Sequence, residues 1–125
     1  MPPFTIDTNI LIYHLKRDEN VTSNLERWFL SENRLFISTI TRLEILAAPV
    51  LLEDEERQIL NLLNKFFIIP VDVQIADAAA HIRRTHKLKL GDSIIAATAI
   101  LTNSTLVTRN LRDFKKVSLL NIMPL

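Results

Sequence analysis

Five short apolar runs divide this chain, and most of the intervals between them carry apolar residues at helical spacing. The runs are Phe4–Ile6, Arg34–Ile37, Phe66–Ile69, Thr105–Val107 and Val117–Ile122. None alternates apolar with polar residues, as expected of strands covered on both faces. Between them the pattern predicts helices over Asn9–Lys16, over a segment carrying Leu25, Trp28 and Phe29, and from Ser38 or Thr41 to Pro49. Further helices are expected over Glu53–Lys65, Val73–His86 and Asp92–Thr102. Thr22 or Ser23 is the expected cap of the second helix. Strands alternating with helices point to an α/β domain, with a mostly parallel sheet of four or five strands and helices on both faces. The single glycine, Gly91, implies few left-handed turns and a helix-heavy fold.

A length of 125 residues fits one domain over positions 1–125. The chain is 48% hydrophobic, more than so small a domain hides by itself, so some apolar surface is expected to be covered by a second copy or a partner. A net charge of +1 excludes nucleic-acid binding by overall charge alone. Local basic stretches exist at Arg83, Arg84, His86, Lys87 and Lys89 and again at Arg109, Arg112, Lys115 and Lys116. The absence of cysteine excludes disulfides and thiolate chemistry and fits a reducing cytoplasm. No signal peptide is predicted, and no run approaches the roughly 18 apolar residues of a membrane span.

Four acids follow four apolar segments. Asp7 ends the run Phe4-Thr5-Ile6, and Glu44 lies in Thr41-Arg42-Leu43-Glu44-Ile45. Asp92 follows Gly91 and precedes Ile94-Ile95-Ala96-Ala97, while Asp113 follows Thr105-Leu106-Val107 at a short distance. Ligands of parallel sheets bind beyond the carboxyl ends of the strands, where strand order reverses. Asp7 and the segment from Thr108 to Asp113 are therefore expected at one end of the sheet. Two like charges about 4 Å apart repel by about 1 kcal/mol in water and about 4 kcal/mol at an effective dielectric of 20. An acidic cluster therefore suggests a hard cation, and Mg²⁺ or Mn²⁺ takes such oxygen ligands. Each acid also has a local alternative: Asp7 as a helix cap, Glu44 in a capping box with Thr41, Asp92 on a helix dipole, Asp113 in a surface turn. Gly91 is expected either to supply a conformation other residues resist or to close the preceding helix as a left-handed cap.

In sequence order, Asp7-Thr8-Asn9-Ile10-Leu11-Ile12, Thr41-Arg42-Leu43-Glu44-Ile45, Lys89-Leu90-Gly91-Asp92-Ser93-Ile94-Ile95-Ala96-Ala97 and Val107-Thr108-Arg109-Asn110-Leu111-Arg112-Asp113-Phe114 resemble the motifs of PIN-domain ribonucleases, VapC-like toxins of toxin–antitoxin pairs above all. The resemblance spans essentially the whole chain. It implies a three-layer α/β/α sandwich, dependence on Mg²⁺ or Mn²⁺, and endonucleolytic cleavage of RNA. It further implies a cognate antitoxin and a homodimer. By position, Asp7, Glu44 and Asp92 look like the core metal-site acids and Asp113 like a more variable fourth. The resemblance leaves open which of Asn110 and Asp113 completes the site. Thr8, Asn9, Ser93, Thr108 and Asn110 would orient the acids or face phosphate.

Arg83, Arg84, Lys87, Arg109 and Arg112 are candidate RNA contacts, against the plainer reading of a solvated charged face. His14, His81 and His86 lack metal-ligand spacing and read as structural or surface residues. Trp28 reads as core, with an exposed anchor for the antitoxin as the alternative. Two rival functions differ in chemistry. An aspartyl-phosphate enzyme of the haloacid dehalogenase type wants a second acid two residues after Asp7, where Asn9 stands. A non-catalytic RNA- or protein-binding module would leave all four acids as caps or surface charges.

Overall fold

The computed structural model describes residues 2–47 and 53–125. Five strands form a single sheet with the order β3-β2-β1-β4-β5, and every neighbouring pair is parallel. They are β1 (Phe4–Ile6), β2 (Leu35–Ser38), β3 (Phe67–Ile69), β4 (Thr105–Thr108) and β5 (Ile122–Pro124). The helices among the described residues are α1 (Thr8–Leu15), α2 (Glu19–Phe29), α3 (Thr39–Leu46), α4 (Glu53–Leu63), α5 (Val73–His86), α6 (Leu90–Leu101) and α7 (Leu111–Phe114). The chain runs outward from β1 through β2 to β3, then returns through α5 and α6 to place β4 on the other side of β1. Strand order therefore reverses between β1 and β4, where a ligand crevice belongs.

Two apolar clusters cover the two faces and make three layers. Phe4, Ile6, Leu35, Ile37 and Val107 pack with Ile10 and Leu11 of α1, Val21, Leu25 and Trp28 of α2, and Ile59, Leu62 and Leu63 of α4. Leu106 packs with Ile75, Ala79 and Ile82 of α5 and with Ile95, Ala96, Ala97 and Ala99 of α6. Small residues on α6 let it lie close to the sheet. Helix α3 joins the layers, with Ile45 in the first cluster and Ile40 against the second. Among the described residues no helix is long and apolar enough to cross a membrane.

Several local expectations change. Asp18 caps α2, its side chain accepting from the Val21 N–H, so the helix begins at Glu19. Asp18 replaces Thr22 and Ser23 as the cap. Ser38 caps α3, so Thr41 lies inside that helix, which ends at Leu46; Pro49 falls outside the described residues. Gly91 is the second residue of α6 and has no positive φ. The left-handed cap after α5 is Lys87, at φ 57°. The last strand is Ile122–Pro124 instead of Val117–Ile122, because Val117 and Leu120 are drawn into the second core cluster from the turn before it. Trp28 is 7% exposed, with its ring 4.8 Å from that of Phe4, so it is a core residue and not a surface anchor.

Candidate metal centre

Asp7 lies directly after β1 and occupies the N-cap position of α1, but its carboxylate makes no capping bond. Instead Asp7 Oδ2 accepts the Thr108 hydroxyl across the strand reversal at 2.7 Å. Parallel pairing of β1 with β4 sets this contact, since Ile6 stands opposite Val107. Asp7 as a residue is 2% exposed, and the pKa of its carboxyl is raised to about 6 from 3.8. Burial is the main cause; the Thr108 hydroxyl opposes it, and the charges of Asp92 and then Glu44 add to it.

Glu44 reaches the same end of the sheet from α3. Its Oε1 accepts the Thr8 hydroxyl at 2.8 Å, and the Thr8 and Thr41 hydroxyls stand 2.9 Å apart. The capping box weighed as the alternative role of Thr41 and Glu44 is therefore absent: Thr41 supports the residue that holds Glu44. Gly91 owes its place to Glu44 as well. A Cβ at Gly91 would lie 3.3 Å from Glu44 Oε2, closer than most such contacts.

Asp92 stands in the first turn of α6, where the helix dipole favours an anion. Its pKa is nonetheless raised, first by burial and then by the charge of Asp113, with Lys89 opposing and Glu44 adding. Asp113 is set by Asn110, which caps α7. The Asn110 side chain donates to Asp113 Oδ2 at 3.1 Å and accepts from the Asp113 N–H at 3.4 Å. The Asn110 N–H in turn donates to Thr108 Oγ1 at 2.9 Å. Asp7, Glu44, Asp92 and Asp113 are thus linked through one another's fields, although they come from four separate elements.

The remaining candidate residues divide. Thr8 and Thr108 hold acids, and Asn110 holds Asp113. Ser93 is fully buried and donates to the Lys89 carbonyl, so it turns into the helix and away from the crevice. Asn9 is exposed at the start of α1. Arg83, Arg84 and Lys87 lie at the end of α5, in the turn that delivers Asp92, and Arg83 donates to the Leu88 carbonyl. Arg112 is exposed on α7, whereas Arg109 is engaged by Asp18 and lies over Tyr13. Thr41 and Asp18 escaped the sequence reading. Thr41 stood three residues before Glu44 and looked like a cap, and nothing local links Asp18 to Arg109.

The donor set suits a hard divalent cation. It is all oxygen, and among the described residues Asp7, Glu44 and Asp92 form no ion pair with a basic side chain. The pKa of Asp7 and Asp92 is raised first by burial and then by neighbouring like charges, and a bound cation would favour the charged forms. Among the described residues, no three histidine or acidic side chains are already closed into a ligand set.

Residues 4–120 match the PIN domain family. No curated protein matches the chain. Solved structures do. A toxin–antitoxin complex from Klebsiella pneumoniae aligns at 33% identity with a TM-score of 0.80, covering 95% of this chain and 94% of that one. A DNA-bound VapBC from Salmonella typhimurium aligns at 28% identity and a TM-score of 0.84, covering 99% and 98%. VapBC-1 from nontypeable Haemophilus influenzae aligns at 25% identity and a TM-score of 0.80, covering 97% and 96%. Acids gathered at the strand reversal of a five-stranded parallel sheet, together with a match over nearly the whole chain, make this protein a member of the PIN domain family, VapC-like and of the toxin nuclease type.

Proposed function

We propose that this protein is a divalent-metal-dependent endoribonuclease, the toxin of a toxin–antitoxin pair acting in the cytoplasm. The observation that carries this reading is Asp7: a carboxyl buried against the charges of Asp92 and Glu44 and, among the described residues, in no ion pair with a basic side chain. Asp7, Glu44, Asp92 and Asp113 would hold Mg²⁺ or Mn²⁺, which when bound supplies an acidified water and neutralises phosphate charge. The protein's own groups do the positioning. Thr108 fixes Oδ2 of Asp7. Thr8, steadied by Thr41, aims Glu44. Asn110 aims Asp113. Arg83, Arg84, Lys87 and Arg112 are the basic side chains that would contact the RNA backbone.

An antitoxin partner is supported by the solved relatives, which are toxin–antitoxin complexes. A homodimer is supported by exposed apolar side chains around one region: Val71 and Leu90 line a small apolar cavity with Ala76, Ala79 and Ile94. Leu90 is 61% exposed and Val73 75% exposed.

The test is cleavage of a mixed pool of tRNA and structured RNA with Mg²⁺ or Mn²⁺ and with EDTA, alongside Asp92→Asn. Cleavage by the metal-loaded parent alone is expected, with the cut sites identifying the target. Equal cleavage by the variant would overturn the site. No cleavage together with no Mn²⁺ binding would favour the binding-module reading.

A further inference from the structure

Arg109 sits between two residues of the site, Thr108 and Asn110, yet its side chain points to the other half of the domain. Its Nη1 donates to Asp18 Oδ2 at 2.8 Å and its Nη2 to Asp18 Oδ1 at 3.2 Å. This is the bidentate fork in which arginine and carboxylate hold each other in orientation as well as distance. The guanidinium also lies 4.5 Å from the centre of the Tyr13 ring. Tyr13 belongs to α1 and Asp18 caps α2, so one side chain ties the β4–α7 turn to the α1–α2 turn.

The α1–α2 turn is set independently of Arg109. Arg17 adopts a left-handed conformation at φ 65°, the Asp18 N–H donates to the Tyr13 carbonyl at 3.0 Å, and Asp18 Oδ1 accepts from Val21. Arg109 therefore docks on a fixed mount. On either side of it, the Thr108 hydroxyl meets Asp7 and the Asn110 side chain meets Asp113. A shift of this turn would move both contacts together.

We infer that Arg109 and Asp18 form a latch that positions Thr108 and Asn110, so that Arg109 is a positioning residue for the acidic centre and not a contact for RNA. The inference rests on the metal-centre reading of the preceding subsection, and it concerns the turn itself as well as the ion. A half-buried ion pair at the surface contributes little to overall stability. Its value here lies in orientation.

Two variants separate the latch from other roles. Asp18→Asn keeps a good helix cap but loses the charged fork. Arg109→Met keeps an apolar stem over Tyr13 and loses the guanidinium. The first measurement is amide hydrogen exchange at Asn110, whose N–H is accepted by Thr108, and at Asp113. Both variants should exchange there about tenfold faster through local opening, with the Leu106 amide unchanged. The second measurement is Mn²⁺ affinity by calorimetry, expected to fall about tenfold in each variant, with the double variant no worse than either single one. The third is RNA affinity against salt in EDTA, expected to keep the parent's slope.

Parent-like exchange at Asn110 and Asp113 overturns the latch, as does unchanged Mn²⁺ affinity despite faster exchange. A lower salt slope for Arg109→Met with tighter RNA binding by Asp18→Asn also overturns it, and returns Arg109 to phosphate contact. A parent that binds no Mn²⁺ overturns the metal-centre reading, while the exchange data still decide whether the latch exists.

Discussion

Asp7 holds its proton to about pH 6 in the folded chain, against 3.8 for an ordinary aspartate. Between those values the folded state binds more protons than the unfolded state. Metal-free stability therefore falls as pH rises through that window, and the full penalty stands above it. The shift corresponds to at most about 3 kcal/mol. Asp7→Asn should accordingly raise the Tm at pH 8 in EDTA, give little gain near pH 4, and abolish cleavage. Equal Tm gains at both pH values would contradict the burial argument. Thr108→Val removes the hydroxyl bond that opposes the shift, so the Asp7 carboxyl should titrate above its parent value when followed by carboxyl carbon NMR. At this scale the sequence displayed the acids and, through the resemblance, Thr8, Thr108 and Asn110 as supports, but not which acid each one holds. Asp7, Glu44 and Asp92 stood in recognisable local patterns. The bonds from Thr108 to Asp7 and from Thr8 to Glu44 join residues 101 and 36 positions apart, and no local pattern records such pairs.

Helix α6 shows how an element serves the site at some cost to itself. Glycine in a helix is less favourable than alanine by up to about 1 kcal/mol. Gly91 sits there without needing a glycine conformation, facing the Glu44 carboxylate. Gly91→Ala should leave the stability equal or raise it by up to about 1 kcal/mol, read from the denaturant midpoint. Cleavage should fall several-fold as Glu44 yields a few tenths of an ångström. A variant as active as the parent would show that Glu44 can give way freely. The elements themselves were largely legible. Helix α5 has the bounds its Ala-rich periodicity predicts, Val73–His86. Boundaries failed where one side chain chose between local roles. Asp18 starts α2 early by capping it, and tertiary packing of Val117 and Leu120 delays β5, whereas at α3 Ser38, one of the two expected starts, is the cap.

For the whole molecule, burial decides between anchor and core. Trp28 is held under Phe4 in the first cluster, so Trp28→Ala should cost about 3–5 kcal/mol, as deletions of large core aromatics do. A denaturant midpoint near the parent's would contradict this. The apolar surplus of the composition instead emerges at Leu90, Val73 and Leu43, all well exposed. Leu90→Arg should shift sedimentation from dimer to monomer; an unchanged sedimentation coefficient would place any dimer contact elsewhere. Sequence alone determined the alternation of buried strands with helices, and hence the parallel sheet, because hydrophobic periodicity and helix chemistry act over a few residues. It also determined which acids were available and, through their motifs, the family resemblance. Only the tertiary structure decided that Asp7 is buried among other charges, that Ser93 turns inward, and that Arg109 is engaged by Asp18. Those outcomes depend on which elements the sheet order brings together, and on the desolvation and fields that follow from that proximity.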